Sequence, residues 1–370
     1  MRMRSELLAA LLVLMVGLAA SPEPYQGTAV CLPAVAGPDA CADSAPEAFV
    51  QPFVLSVHPW YDDFPGVPIP AKWYRLPDER LHYARVVTEA ARFYPSPQAA
   101  AEALDPIRTF RGLVYVSYDK TQRVGRRLVY HVGDGYWMNG EDLRPVTPSR
   151  FRGYLFPRQS PVRPFGWARF DGVRVKASPG YETRDWYAWS LPRRALVHIY
   201  EERLVGPYRW LRIGPEQWVE AVRIAEVHPR TEPPPEVPSD RWIEVNVAEQ
   251  TLAVYEDGRL IAATLVSTGT GQFYTRQGVF RIAEKLPTET MRGAFAADKS
   301  DAYLIEDVPW TMYYDGERAL HGAYWHDVFG FRLTHGCVNL SLTDAAWLYA
   351  WAQLGDWVYV WDPTGKTPFE

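Results

Sequence analysis

Cysteine is scarce: three residues in 370, and the number is odd. A dense disulfide scaffold is therefore excluded, and at least one thiol has no partner within the chain. Net charge is also small, −5 by formal count. That excludes the basic footprint that nucleic acid selects, and no nucleic-acid partner is expected. Long apolar runs are missing too. The one candidate, Leu7–Ala20, falls short of the ~20 residues a spanning helix needs, so no stable membrane span is expected. Charged residues make up only 22% against 47% hydrophobic, which excludes global disorder.

What is present is aromatic and proline-rich: 15 Trp, 22 Tyr and 32 Pro. Aromatics favour strands and proline interrupts helices, so a mainly β architecture is expected. Arg2 and Arg4 precede the Leu7–Ala20 run, and Ala19, Ala20 and Ser21 follow as small residues. This is the pattern of a secretory signal, which predicts export to the cell wall, periplasm or exterior, with anchoring if the signal stays uncleaved. An oxidising compartment would let Cys31 and Cys41 close a small loop. Residues 22–62 read as a lead-in. Over Asp78–Ala91, the spacing of Leu81, Ala84, Val87 and Ala91 predicts a helix. Ser96-Pro97 predicts an N-cap and the first position of a short Ala-rich helix, completing a helical segment over 63–105.

Two later stretches echo each other. Gly133 and Gly214 each follow a strand-like run and precede a tryptophan four positions on, Trp137 and Trp218. These units, 106–164 and 165–230, resemble bacterial SH3-like modules, which implies small β-barrels with an aromatic recognition groove. Four prolines between Glu232 and Pro238 predict a semi-rigid linker over 231–238. A further unit then spans 239–363, with a tail to 370. Asp257-Gly258 between two apolar runs predicts a hairpin. One late helix is predicted from an N-cap at Thr343 to Leu354, with Gly355 as its stop.

The chemistry concentrates between His321 and Leu340. Three of the eight histidines, His321, His326 and His335, fall there with the isolated Cys337. An unpaired cysteine among histidines is a candidate nucleophile. A free thiol is mostly protonated at neutral pH, and an imidazole can take its proton. Gly336 lets backbone approach a substrate, and the amides of Gly336 and Cys337 are candidate donors to an oxyanion. From the residues alone, either His321 or His335 can be the base. The same four side chains have the types of a zinc set, but a His-x-Cys pair is unusual for zinc and an oxyanion hole better explains Gly336. No metal is expected.

Thr334-His335-Gly336-Cys337-Val338-Asn339, with His321-Gly322 upstream, resembles the signature of the YkuD-type L,D-transpeptidase catalytic domain. Ser267-Thr268-Gly269, Thr275, Gly278–Ile282 and Glu249–Leu252 fit the same pattern over about Arg241–Trp361. The resemblance implies a β-sandwich-like catalytic domain and no cofactor. It implies Cys337 as acylated nucleophile and His321 as base, with the Gly322 carbonyl orienting the imidazole. Thr334, His335 and Gly336 would shape the site, and Tyr303, Trp325 and Asn339 would contact substrate. It further implies peptidoglycan stem peptides as partners of a monomeric enzyme that releases D-Ala and passes the acyl group to an amine. With water as acceptor the same site is an L,D-carboxypeptidase; with a degenerate site the chain is a wall-binding protein. Two features depart from the pattern: Thr275 is followed by Arg276 rather than proline, and the His321-to-Thr334 interval is the shorter form.

Overall fold

The computed structural model describes residues 64–294 and 298–368. The expected signal, the lead-in and the Cys31–Cys41 pair lie outside them. All described residues fall in one compact unit, Phe53–Glu370. It is mainly β, with two α-helices among the described residues, Pro97–Glu102 and Leu342–Trp351. No helix among the described residues is long and apolar enough to cross a membrane.

Two large sheets carry most of the strands. One orders its strands Val67–Pro68, Tyr154–Leu155, Arg259–Leu265, Thr251–Glu256, Trp242–Asn246, Trp357–Trp361 and Gly278–Arg281. Its central hairpin closes through Asp257 (φ 52°) and Gly258 (φ 68°), the left-handed pair of a two-residue hairpin turn. The other runs Val338–Leu340, Arg318–Gly322, Tyr303–Asp315, Leu113–Val124, His82–Val86 and Leu143–Pro145. Between them lies an apolar core. Ile243, Val245, Leu252, Val254, Val358 and Val360 come from the first sheet, and Met312, Leu320, Val338 and Leu340 from the second. Ala345 and Leu348 seal it from the late helix. Alternate side chains of each strand point inwards, as two packed sheets require.

Both sheets are extended by strands from the first half of the chain. Leu113–Tyr115 pairs in parallel with Tyr303–Ile305, and Tyr154–Leu155 pairs with Ala262–Ala263. The proline-rich stretch is also packed: Val237 is buried with Phe165, Trp167, Trp242 and Tyr255. The stretch therefore joins its neighbours through a shared apolar cluster.

The echo between the two middle stretches extends into three dimensions. Gly125, Gly133, Trp137 and Gly140 lie 81 positions before Gly206, Gly214, Trp218 and Ala221. In both units a two-residue turn opens the hairpin, with Gly125 (φ 59°) or Gly206 (φ 60°) in its first position. Tyr130 pairs with Met138, and Leu211 with Val219. A 3-10 turn follows, Gly140–Asp142 or Ala221–Arg223, and then a closing strand, Leu143–Pro145 or Ile224–Val227.

Two local expectations fail. The helix expected over Asp78–Ala91 is instead two strands, His82–Val86 and Ala90–Phe93. The first is buried on both faces: Ala84 and Val86 enter one apolar cluster and Tyr83 another. A strand buried on both sides loses polar alternation and mimics helical spacing. The late helix is capped by Ser341, whose Oγ accepts the Asp344 amide, rather than by Thr343, and it ends at Trp351 rather than Leu354. The short helix after Ser96-Pro97 is present, its cap accepting the Ala99 amide.

Candidate active site

The segment Thr334–Cys337 is a loop between two fixed points. Before it, Leu333 and Thr334 donate their amides to the Thr268 carbonyl at 2.8 and 3.0 Å. After it, Ser267 and Asn339 exchange backbone hydrogen bonds at 3.0 and 2.8 Å. Gln250 stiffens this scaffold: its Nε2 donates to Thr268 Oγ1 and its Oε1 accepts the Thr268 amide. Thr275 Oγ1 accepts from the Gly269 amide and donates to the Gly336 carbonyl, both at 2.8 Å. The turn altered by Arg276 thus still grips the Thr334–Cys337 loop through Thr275, while Arg276 pairs with Asp315.

Inside the loop, Thr334 Oγ1 donates to the Cys337 carbonyl at 2.6 Å and accepts the Gly336 amide at 3.1 Å. The Gly336 amide, expected as an oxyanion donor, is therefore already committed. Gly336 adopts φ +116°, a backbone that L side chains rarely take, and a Cβ there would lie 3.1 Å from Arg318 Nε.

His321 lies on a strand beside the one that Cys337 leads into. Leu320 pairs with Val338 and His321 with Asn339 in parallel strands, and Cys337 directly precedes the second of them. His321 is buried, and its Nδ1–H donates to the Gly322 carbonyl at 3.2 Å. A carbonyl can only accept, so the proton sits on Nδ1 and Nε2 is left as the basic nitrogen. Burial pulls His321 down to about 4, because the buried imidazolium is poorly solvated. Burial likewise pushes the Cys337 thiol up, against the pull of the Ala319 amide and the Arg318 guanidinium. At rest the pair is therefore thiol and neutral imidazole, and the thiol donates weakly to the Glu317 carbonyl at 3.7 Å. Moving the proton from Cys337 to His321 creates two charges, each compensating the desolvation of the other.

Tyr303 stacks on His335, with ring centroids 5.4 Å apart at 6°, and Phe273 closes on the same imidazole edge-on at 4.7 Å. Burial, and secondarily the charge of Cys337, push the Tyr303 phenol up to about 12. It stays protonated at neutral pH and can donate a hydrogen bond. A Cβ at Gly293 would meet its hydroxyl at 2.9 Å, so this glycine leaves room for the phenol.

Trp325 lies 5.7 Å from the His321 ring. Next to it, His326 is held near 4 by burial, with His321 as a second influence. Val328 donates its amide to His326 Nδ1 at 3.2 Å, so the proton is on Nε2, 3.0 Å from the Asn339 carboxamide. The Asn339 group at that contact must accept, which turns its oxygen there and satisfies an otherwise unpartnered buried atom. Sequence reasoning assigned no role to Phe273, Glu317 or Arg318. Gln250, Thr268 and Thr275 fit the family pattern with no role attached, and in the structure they hold the Thr334–Cys337 loop.

Residues 240–360 match the sequence model of the YkuD family, the L,D-transpeptidase catalytic domain. Among solved structures, an L,D-transpeptidase from Stackebrandtia nassauensis is 28% identical over 36% of this chain and 60% of that one, with a TM-score of 0.28. The catalytic domain of the E. faecium L,D-transpeptidase is 26% identical over 33% of this chain and 97% of that one, with a TM-score of 0.30. An L,D-transpeptidase from Mycobacterium smegmatis is 17% identical over 58% of this chain and 93% of that one, with a TM-score of 0.32. No curated protein matches the chain. The chain spans 60% of the length of the first of these structures. Residues 240–360 are thus a YkuD-type L,D-transpeptidase catalytic domain.

Proposed function

We propose that this chain is an exported cysteine acyltransferase acting on peptidoglycan stem peptides. The observation that carries the reading is His321: a buried imidazole with its proton fixed on Nδ1, on the strand that pairs with the one Cys337 leads into. His321 Nε2 removes the Cys337 proton as Sγ attacks the carbonyl of the L-centre preceding a terminal D-Ala. The C–N bond breaks, and the proton passes from His321 to the leaving amine. An incoming amine then attacks the thioester, loses its proton to His321, and expels the Cys337 thiolate, which is reprotonated. The Tyr303 hydroxyl and the Cys337 amide stabilise the oxyanion, since the Gly336 amide is engaged by Thr334. The repeated hairpin units are read as SH3-like recognition modules, and the basic-apolar-small N-terminus as the export signal.

Intact-protein mass spectrometry after incubation with muropeptides or a carbapenem tests this. Wild type gains one acyl mass, Cys337→Ala gains none, and His321→Ala acylates about 10²–10⁴-fold more slowly. Absence of any adduct on reduced wild type, with binding still measurable, would falsify the reading.

A further inference from the structure

The segment from Tyr324 to Phe329 belongs to neither sheet, yet it forms one wall of the base. Its supports come from the first two-thirds of the chain. Tyr83 stacks on Tyr324 at 3.5 Å and 9°, and Tyr115 meets Trp325 at 6.3 Å. Arg169 donates to the Gly330 carbonyl at 2.9 Å, closing the far end. The centre is Asp327. Arg194 donates to Asp327 Oδ1 at 2.6 Å and to its carbonyl at 2.9 Å. Arg193 donates to the same carbonyl at 2.5 Å, and Ser149 Oγ donates to Oδ1. Ser149 belongs to the first repeated unit and both arginines to the second, so Asp327 is gripped from both units.

We propose that Asp327 is a positioning residue through which the N-terminal segments hold Trp325 and His326 against His321. This wall keeps water from the acyl-enzyme, so that the thioester passes to an amine. The inference rests on the acyltransferase reading above. The physical argument is steric and electrostatic. Trp325 lies beside the imidazole that must deprotonate the attacking group, and His326 is tied to Asn339, the residue paired with His321. Release of Asp327 frees both. In aminolysis a C–N bond replaces the C–S bond; in hydrolysis a C–O bond does, and in each case His321 takes the proton of the attacking group. Only access to the thioester differs, so the wall sets the partition between them.

The test uses the full chain and a muropeptide mixture containing both a tetrapeptide donor and a stem amine. Mass spectrometry gives the ratio of hydrolysed tripeptide to cross-linked dimer for wild type, Arg194→Ala, Asp327→Asn and Arg193→Ala/Arg194→Ala. The expected result is a ratio raised fivefold or more, largest in the double variant. Carbapenem acylation of Cys337 should stay within twofold of wild type, a split that general unfolding would not produce. Should the single variants fold poorly, the exchanged pair Arg194→Asp/Asp327→Arg serves instead, and a return of the ratio towards wild type supports the proposal. An unmoved ratio in stably folded variants that still acylate overturns this inference alone. Wild type that never acylates overturns it together with the function it rests on.

Discussion

The two repeated units carry the same hairpin, 3-10 turn and closing strand, but they join the catalytic sheets by different means. The first joins by backbone. Leu113–Tyr115 pairs with Tyr303–Ile305, and the Leu113 amide donates to the Ala302 carbonyl at 2.9 Å. The second joins by side chains and apolar packing. Arg169 reaches Glu249 at 2.7 Å, and Phe165 and Trp167 pack with Trp242 and Tyr255. Strand pairing fixes position residue by residue, because a one-residue slip turns every side chain to the other face. The first unit is therefore able to set where Tyr303 stands over the site, whereas the second braces a surface.

The sharpest way to break this contrast is a pair of glycine substitutions. Gly112 sits at φ +135°, and a Cβ there would lie 2.1 Å from the Ala302 carbonyl oxygen. Gly206, in the second unit, sits at φ +60° with nothing within 4 Å. Gly112→Ala combines backbone strain with a backbone clash and should cost about 3 kcal/mol or more. Gly206→Ala carries the strain alone and should cost about 1–2 kcal/mol. Urea unfolding midpoints check both. Acylation of Cys337 should fall in Gly112→Ala and not in Gly206→Ala, since only the first displaces Tyr303. Equal losses would remove the distinction.

A second difference is electrostatic. Where the first unit meets Tyr303–Asp315, Glu306 is buried and accepts the Ser117 amide at 3.3 Å. Burial raises its carboxyl from 4.5 to about 7, with neighbouring Asp307 adding to the effect. The folded pKa is above the unfolded one, so the protonated form contributes stability that is full below 4.5. That contribution declines as pH rises to about 7 and is gone above it. The shift corresponds to about 3 kcal/mol. Glu306→Gln should thus leave stability at pH 4 nearly unchanged and raise it by up to that amount at pH 8. Thermal unfolding at the two pH values measures the difference. A variant equally affected at both would mean the carboxyl is solvated.

These junctions show what the sequence could and could not reveal. Asp257-Gly258 announces its hairpin because the two left-handed residues carry the signal locally. Thr334–Asn339 announces a candidate nucleophile because the thiol, a histidine and a glycine are adjacent in sequence, whereas His321, the proposed base, comes from a strand outside the loop. His82–Val86 does not announce a strand, since burial on both faces erases alternation. The pairing of Leu113 with Tyr303 leaves no local trace, as neither residue's neighbours encode a partner so distant along the chain. Ser341 and Thr343 offered the helix two hydroxyls, and the backbone chose between them: Ser341 is extended, as a cap must be, while Thr343 already lies in the first turn. Nothing about Arg318 or Phe273 marks them as neighbours of the site before the fold is known.

The smallest effect probes the second unit's attachment. Arg169 and Glu249 are both largely buried, and burial pulls the arginine down and pushes the carboxyl up. Each charge is tolerated because the other is beside it, so removing one strands its partner. Arg169→Ala should cost about 2 kcal/mol, moderated by the partial exposure of the pair and by the apolar cluster that also holds the unit. The loss should depend on pH. Without the arginine, the Glu249 carboxyl rises further above its unfolded value, so stability falls as pH rises, and the deficit at pH 8 exceeds that at pH 5. Arg169→Ala/Glu249→Gln should recover most of the difference at pH 8, because no stranded carboxylate remains. Thermal unfolding of the two variants at both pH values decides the matter. A deficit of 4 kcal/mol or more by that estimate, unrelieved by the second change, would mean that side chains anchor the second unit as firmly as strand pairing anchors the first.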